Sequence, residues 1–164
     1  MATISMRGTS VSTVGELPTV GSPAPAYELV GADLSRVSSA DLTGRVVLSI
    51  FPSVDTDTCA TSVRRFNEMA ARLDDVTVVN VSMDLPFAQA RFCAAEGIER
   101  VLMGSAFRSS FGDDYGVRIV EGPMTGLLSR AVVVVGRDGR VLHSQQVGEI
   151  SEEPDYDAAL AALG

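Results

Sequence analysis

Val46-Val-Leu-Ser-Ile-Phe51-Pro52-Ser-Val-Asp-Thr-Asp-Thr58-Cys59 decides the reading of this chain. Its first six residues are strand formers, apolar except for Ser49, the pattern of a buried strand. Pro52 halts that strand. From Thr58 the period changes: Cys59, Val63, Phe66, Ala70 and Leu73 recur at spacings of 4, 3, 4 and 3, which places them on one face of a helix ending near Leu73. Cys59 therefore sits at the start of a helix, directly after a buried strand. Unpaired backbone N–H groups and the positive end of the helix dipole favour the thiolate, the reactive form of cysteine. The same periodicity allows a plain core role, because free cysteine is among the most buried residue types.

The pattern extends in both directions. Residues 3–18 alternate around Arg7-Gly-Thr-Ser10 and predict a β-hairpin, followed by the irregular connector Gly21-Ser-Pro-Ala-Pro25. Tyr27–Val30 reads as a short strand, and Val76–Met83 as a second buried one. Pro86 suits the first turn of a helix running to Glu96, with Gly97 just beyond its end. Val101–Ala106 reads as a short strand and residues 107–128 as loop. Arg130 opens the strand Ala131–Val135, and Arg137-Asp-Gly-Arg140 turns into the strand Val141–Val147. A last helix starts at Pro154. Helices separating buried strands predict an α/β fold, thioredoxin-like in outline, with a mixed sheet that is parallel at its centre and antiparallel at its edge.

Composition bounds the function. A chain of 164 residues fits one domain, 1–164, and can bury roughly 70% of its unfolded surface. Net charge is −8 and no basic run occurs, which argues against nucleic-acid binding. No apolar stretch reaches the roughly 18–20 residues that span a bilayer, and the N-terminus lacks a signal-peptide core. A cytoplasmic location is expected, where a disulfide is transient and catalytic rather than structural.

Cys93 is the only other cysteine. On its helix, Phe87, Ala88, Arg91, Phe92, Ala94 and Ala95 gather on one broad side, and Cys93 falls about 160° from its centre, near Gln89 and Glu96. That placement predicts an accessible thiol that another sulfur can reach. Two cysteines and the single His143 do not supply a metal site, and no Cys-x-x-Cys or phosphate-binding motif is present. Thr56 is placed to donate a hydrogen bond to a thiolate or a substrate oxygen. Asp55 and Asp57 oppose the thiolate unless they cap the helix or pair with an arginine; Arg64, Arg65 and Arg130 are the candidates.

These residues carry a resemblance. Pro52-Ser-Val-Asp-Thr-Asp-Thr-Cys59 resembles the Pro-x-x-x-Thr-x-x-Cys active-site motif of peroxiredoxins. Asp84-Leu-Pro-Phe-Ala-Gln-Ala-Arg-Phe-Cys93, Asp114-Tyr-Gly-Val117, Gly122-Pro123 and Glu153-Pro-Asp-Tyr156 are similar to the thiol peroxidase subfamily, its actinobacterial members above all. The resemblance implies an atypical two-cysteine enzyme with a thioredoxin-like fold, an N-terminal hairpin, no cofactor and a homodimeric state. It implies that Cys59 attacks hydrogen peroxide or an organic hydroperoxide and becomes a sulfenic acid. Cys93 would then resolve it as an intrachain disulfide that thioredoxin reduces. It assigns Thr56 and Arg130 to thiolate and peroxide, and Pro52 to shielding the pocket. Asp57 and Thr58 depart from the motif, where a small residue or Pro and then Val are usual. The alternative from another class is a redox sensor that passes its disulfide to a partner protein.

Overall fold

The computed structural model describes all 164 residues. Strands β1 (Thr3–Met6) and β2 (Thr9–Ser12) form the N-terminal hairpin as a separate two-stranded sheet. The main sheet contains β3 (Glu28–Gly31), β4 (Arg36–Ser38), β5 (Arg45–Ile50), β6 (Val76–Ser82), β7 (Leu102–Ser105), β8 (Ala131–Val135) and β9 (Val141–Gln146). Its spatial order is β4-β3-β7-β6-β5-β8-β9. The central strands β5, β6 and β7 are mutually parallel, and both flanks are antiparallel. This is the mixed, thioredoxin-like sheet that the order of strands and helices predicts.

Strand alternation divides the core. Leu48, Ile50, Val79, Val81 and Val133 face one side, where they meet Tyr27, Phe111, Tyr115 and Leu128. Val47, Val78, Val132 and Val134 face the other. There they pack on Phe66 of helix α1 (Asp57–Ala70) and on Tyr156, Ala159 and Leu163 around helix α4 (Tyr156–Ala162). Fully burying a side chain such as Phe66 contributes about 1.5–3 kcal/mol. Helix α2 (Pro86–Glu96) docks against β7, and Gly97 ends it in the left-handed region at φ 66°, which glycine adopts without strain.

Four expectations shift in detail. Helix α1 stops at Ala70, and α4 begins at Tyr156 rather than Pro154. A three-residue strand, β4, extends the sheet edge beyond β3; none of its residues is fully buried, and a single apolar residue, Val37, makes no periodic signal. The segment 107–128 is not all loop. It contains the short helix α3 (Phe111–Asp114) and is tied to the hairpin by the Thr13–Ile119 bridge.

The largest correction concerns α2. Its apolar residues define almost no consistent side, and the side expected to be buried turns Phe87 out at 69% exposure. The helix instead buries Pro86, Gln89 and Phe92. Gln89 tolerates burial because its amide donates to Ser82 Oγ (3.1 Å) and to the Gly104 carbonyl (3.3 Å). Cys93 thus lies beside the buried face, half-buried, and is not freely accessible.

Candidate active site

The parallel strand β5 runs into Phe51 and Pro52, both buried, and the chain turns through residues 53–56 into α1. Thr56 has the extended backbone of a helix cap, while Asp57 is already the first helical residue. Asp57 is therefore not the cap, contrary to one sequence-based possibility. Cys59 occupies the first turn of α1 and is fully buried. It packs with Phe51, Val54, Val63, Phe92, Ile98 and Met103, and Cys93 lies against this same cluster. Both thiols are free.

Arg130 reaches the sulfur from the start of β8. Its Nη2 donates to Cys59 Sγ at 3.2 Å, and its Nε donates to the Ile150 carbonyl at 2.9 Å. Arg130 as a whole is 3% exposed, so its positive charge lies against the sulfur with little solvent screening. Its Nη1 is buried and makes no hydrogen bond within the protein, so both of its N–H donors are unspent. Of the three arginines considered from sequence, only this one meets the thiol. Arg64 pairs with Glu96 at 3.2 Å, and Arg65 lies 4.7 Å over the Tyr156 ring. Asp55 pairs instead with Arg91 of α2 at 3.3 Å, an exposed contact worth little by itself.

A cavity of about 500 Å³ opens beside Arg130 and the start of α1; Cys59, fully buried, does not line it. Pro52, Thr56, Asp57 and Arg130 line it, together with Met6 and Met124. The Thr56 hydroxyl donates to the Ser53 carbonyl at 3.1 Å rather than to sulfur, so its free lone pairs face other partners. The departure residue Thr58 donates to the Ser151 carbonyl at 2.9 Å. Two successive carbonyls, Ile150 and Ser151, thus hold the arginine and the helix start. Sequence reasoning missed them because backbone carbonyls carry no side-chain signal. It also missed Met6 and Met124, which supply apolar lining. Within 107–128, Pro123 and Met124 line the cavity, whereas Phe111, Tyr115 and Leu128 fill the core.

The hairpin secures the carbonyl pair. Ser5 N–H donates to the Gly148 carbonyl at 2.6 Å, and Ile150 N–H donates back to Ser5 at 2.9 Å. The Arg7 amide donates to Glu149 at 3.1 Å; that bond and the Ser5 hydroxyl hold the carboxyl down at about 2. Ile4, Val11, Ile119 and Ile150 form a small core beneath.

The Redoxin family pattern matches residues 19–160. A thiol peroxidase of Mycobacterium tuberculosis is 61% identical over 165 residues, spanning 100% of this chain and 99% of its own. The chain belongs to the thiol peroxidase family. A Corynebacterium glutamicum thiol peroxidase is 56% identical, covering 99% of each chain. Among solved structures, a peroxiredoxin-like protein from Aquifex aeolicus is 39% identical and superimposes with a TM-score of 0.92 over 99% of this chain and 96% of its own. The two most identical of these relatives are actinobacterial, as the motif resemblance indicates.

Asp57 is one of the two positions expected above to depart from the motif. Its carboxylate is exposed, sits in the first turn of α1 and lines the cavity beside Arg130. It favours the helix start electrostatically and opposes negative charge on Cys59. Because the group is solvated, the expected effect is modest. Asp57→Gly, which restores a small residue, is expected to speed sulfenic acid formation roughly two- to fivefold, more at low salt. Stopped-flow peroxide oxidation at two ionic strengths checks this; an unchanged rate removes the idea.

Proposed function

We propose that the protein reduces hydrogen peroxide and organic hydroperoxides through Cys59 as peroxidatic residue and Cys93 as resolving residue. The observation that carries this reading is the Arg130 guanidinium bonded to the buried Cys59 sulfur at a helix start. The Cys59 thiolate attacks the terminal oxygen of the peroxide. The S–O bond forms as the O–O bond breaks, and the departing alkoxide or hydroxide takes a proton to leave as alcohol or water. Sulfur is oxidised to sulfenic acid and the peroxide is reduced. Arg130 Nη1 and Thr56 bind the peroxide oxygens in line with the sulfur, and Pro52 closes the pocket wall. The Cys93 thiolate then attacks the sulfenic sulfur, expels water and forms the Cys59–Cys93 disulfide. A dithiol partner, thioredoxin, returns both thiols and leaves as its own disulfide.

The supporting features are the proximity of both cysteines to one apolar cluster and the thiol peroxidase names of relatives that cover the whole chain. Those names favour a turning-over peroxidase above a sensor. We further propose one domain over residues 1–164, a homodimer, and a reducing cytoplasmic setting; no helix is long and apolar enough to cross a membrane.

The test is a single turnover. One equivalent of peroxide added to reduced protein is expected to yield a disulfide joining the Cys59 and Cys93 peptides by mass spectrometry. Catalytic NADPH oxidation with thioredoxin and its reductase is expected to follow. No disulfide, or stoichiometric transfer to a client without turnover, overturns the proposal.

A pH dependence follows from the environment of Cys93. Burial pushes its thiol above the usual value of 9.0. The closed fold therefore keeps the proton, and its attack on the sulfenic acid strengthens as pH rises. Disulfide closure is expected to accelerate about tenfold per pH unit through neutrality, without levelling below about pH 9. A plateau below pH 8 in rapid-mixing experiments contradicts this assignment.

A further inference from the structure

Asp84 stands outside the cavity, yet it joins the two cysteine-bearing segments. It follows β6 and precedes α2 by one residue. Its Oδ1 accepts from Ser53 Oγ at 2.8 Å, and its Oδ2 accepts from the Val54 amide at 2.9 Å and from Ser82 Oγ at 2.6 Å. Ser53 and Val54 belong to the loop that leads into the Cys59 helix. The carbonyl of Asp84 accepts from Ser105 Oγ at the end of β7. Ser82 Oγ in turn accepts from Gln89 Nε2 of α2 at 3.1 Å and from the Asp84 amide at 3.3 Å. Ser53 Oγ accepts from the Asp55 amide at 3.1 Å, and the Ser53 carbonyl accepts from Thr56 Oγ1 at 3.1 Å. One carboxylate therefore fixes the loop that presents Thr56 and Cys59, and fixes it to the base of the Cys93 helix.

We propose that Asp84 is a positioning residue that sets the balance between peroxide attack and disulfide closure. This rests on the assignment of Cys59 and Cys93 above. Peroxide attack needs the Cys59 sulfur beside Arg130, with the loop held. Disulfide closure needs that sulfur to leave Arg130 and its buried place in the apolar cluster, and to meet Cys93 with the two Cα atoms roughly 4.4–6.8 Å apart. The hydrogen bonds from Ser53 and Val54 to Asp84 favour the first state and resist the second. Charge-assisted bonds to a carboxylate are the strong kind, so their loss shifts the balance measurably. The carboxylate moves no proton and touches no substrate; it acts through the loop.

Its removal has a signature that a general loss of stability lacks. In Asp84→Ala, sulfenic acid formation is expected to slow about tenfold, because the positioned geometry is populated less. Disulfide closure is expected to quicken several-fold, because the loop opens more readily. In Asp84→Asn, the amide oxygen keeps Val54 and Ser82 while the amide nitrogen donates to Ser53 Oγ; the geometry survives without the charge, so the same opposed shifts are expected at clearly smaller size than in Asp84→Ala. Rapid-mixing kinetics resolve the two steps, with mass spectrometry quenching to identify species. Ser53→Ala, which removes the Oδ1 bond and the acceptor of the Asp55 amide but keeps the Oδ2 bonds, is expected to show the same opposed shifts at smaller size and serves if Asp84→Ala does not fold. Rates that fall together, or do not move, overturn the role of Asp84. A wild-type protein that forms no Cys59–Cys93 disulfide overturns the underlying assignment as well, and is told apart by that control.

Discussion

Cys59→Ser is expected to abolish peroxide turnover, lowering the rate by at least about 10,000-fold, the scale seen when a nucleophile is removed. A serine hydroxyl in the same place lacks the polarisable, readily ionised sulfur that accepts oxygen. The fold is expected to survive, because serine matches the shape and Arg130 still has an acceptor. The contrast with Cys93→Ser makes the result diagnostic. That variant retains Cys59 and its arginine, so it still consumes one equivalent of peroxide at near the wild-type rate. It then stalls as sulfenic acid and loses thioredoxin-coupled turnover. Excess peroxide drives the stalled sulfur up the oxidation ladder to sulfinic acid. Stopped-flow kinetics and intact mass measure both. Residual coupled turnover in Cys59→Ser would sink the peroxidase reading.

Arg130→Met is the second large effect. Methionine fills similar space and keeps neither the charge nor the donors. Three things are lost: the contact with Cys59 sulfur, the free Nη1 offered to substrate, and the bond to the Ile150 carbonyl. Loss of one preorganised donor to developing charge typically costs 100- to 1,000-fold, about 2.7–4 kcal/mol. The expected drop in kcat/KM is of that order or larger. Arg130→Lys is not expected to rescue it, because an ammonium presents no planar fork reaching sulfur, substrate and carbonyl together. The first-step rate, measured with one equivalent of peroxide, separates this from effects on recycling. A drop smaller than about tenfold would show that the guanidinium is structural.

The route from sequence to site was legible where a strong period met a break. The apolar strand, Pro52 and the 4-3-4-3 stripe located β5, α1 and Cys59 within a few residues. The parallel centre followed from helices alternating with buried strands. Three things were not legible, each for a physical reason. Edge strand β4 is three residues long with Val37 as its one apolar contact, too little to make a period. The buried side of α2 is built around Gln89, which satisfies its amide with Ser82 and Gly104, so hydrophobic periodicity pointed to the wrong side and made Cys93 look more exposed than it is. Arg130 is distant in sequence from Cys59, and nothing local ties them; the family resemblance named it, and the fold supplied the 3.2 Å contact. Asp84 was visible as part of a motif, but its role emerges only when Ser53, Val54 and Ser82 converge on it.

The hairpin holds the 148–151 segment that in turn holds Arg130 and Thr58. Its consequence concerns the order of folding. Ser5 bridges Glu149, a separation of 149 − 5 = 144 residues, and contacts that distant in sequence close late. Arg130 and the Thr58 end of α1 therefore gain their shared anchor only as folding finishes, and a change that loosens the hairpin is transmitted to the surroundings of Cys59 through two backbone carbonyls.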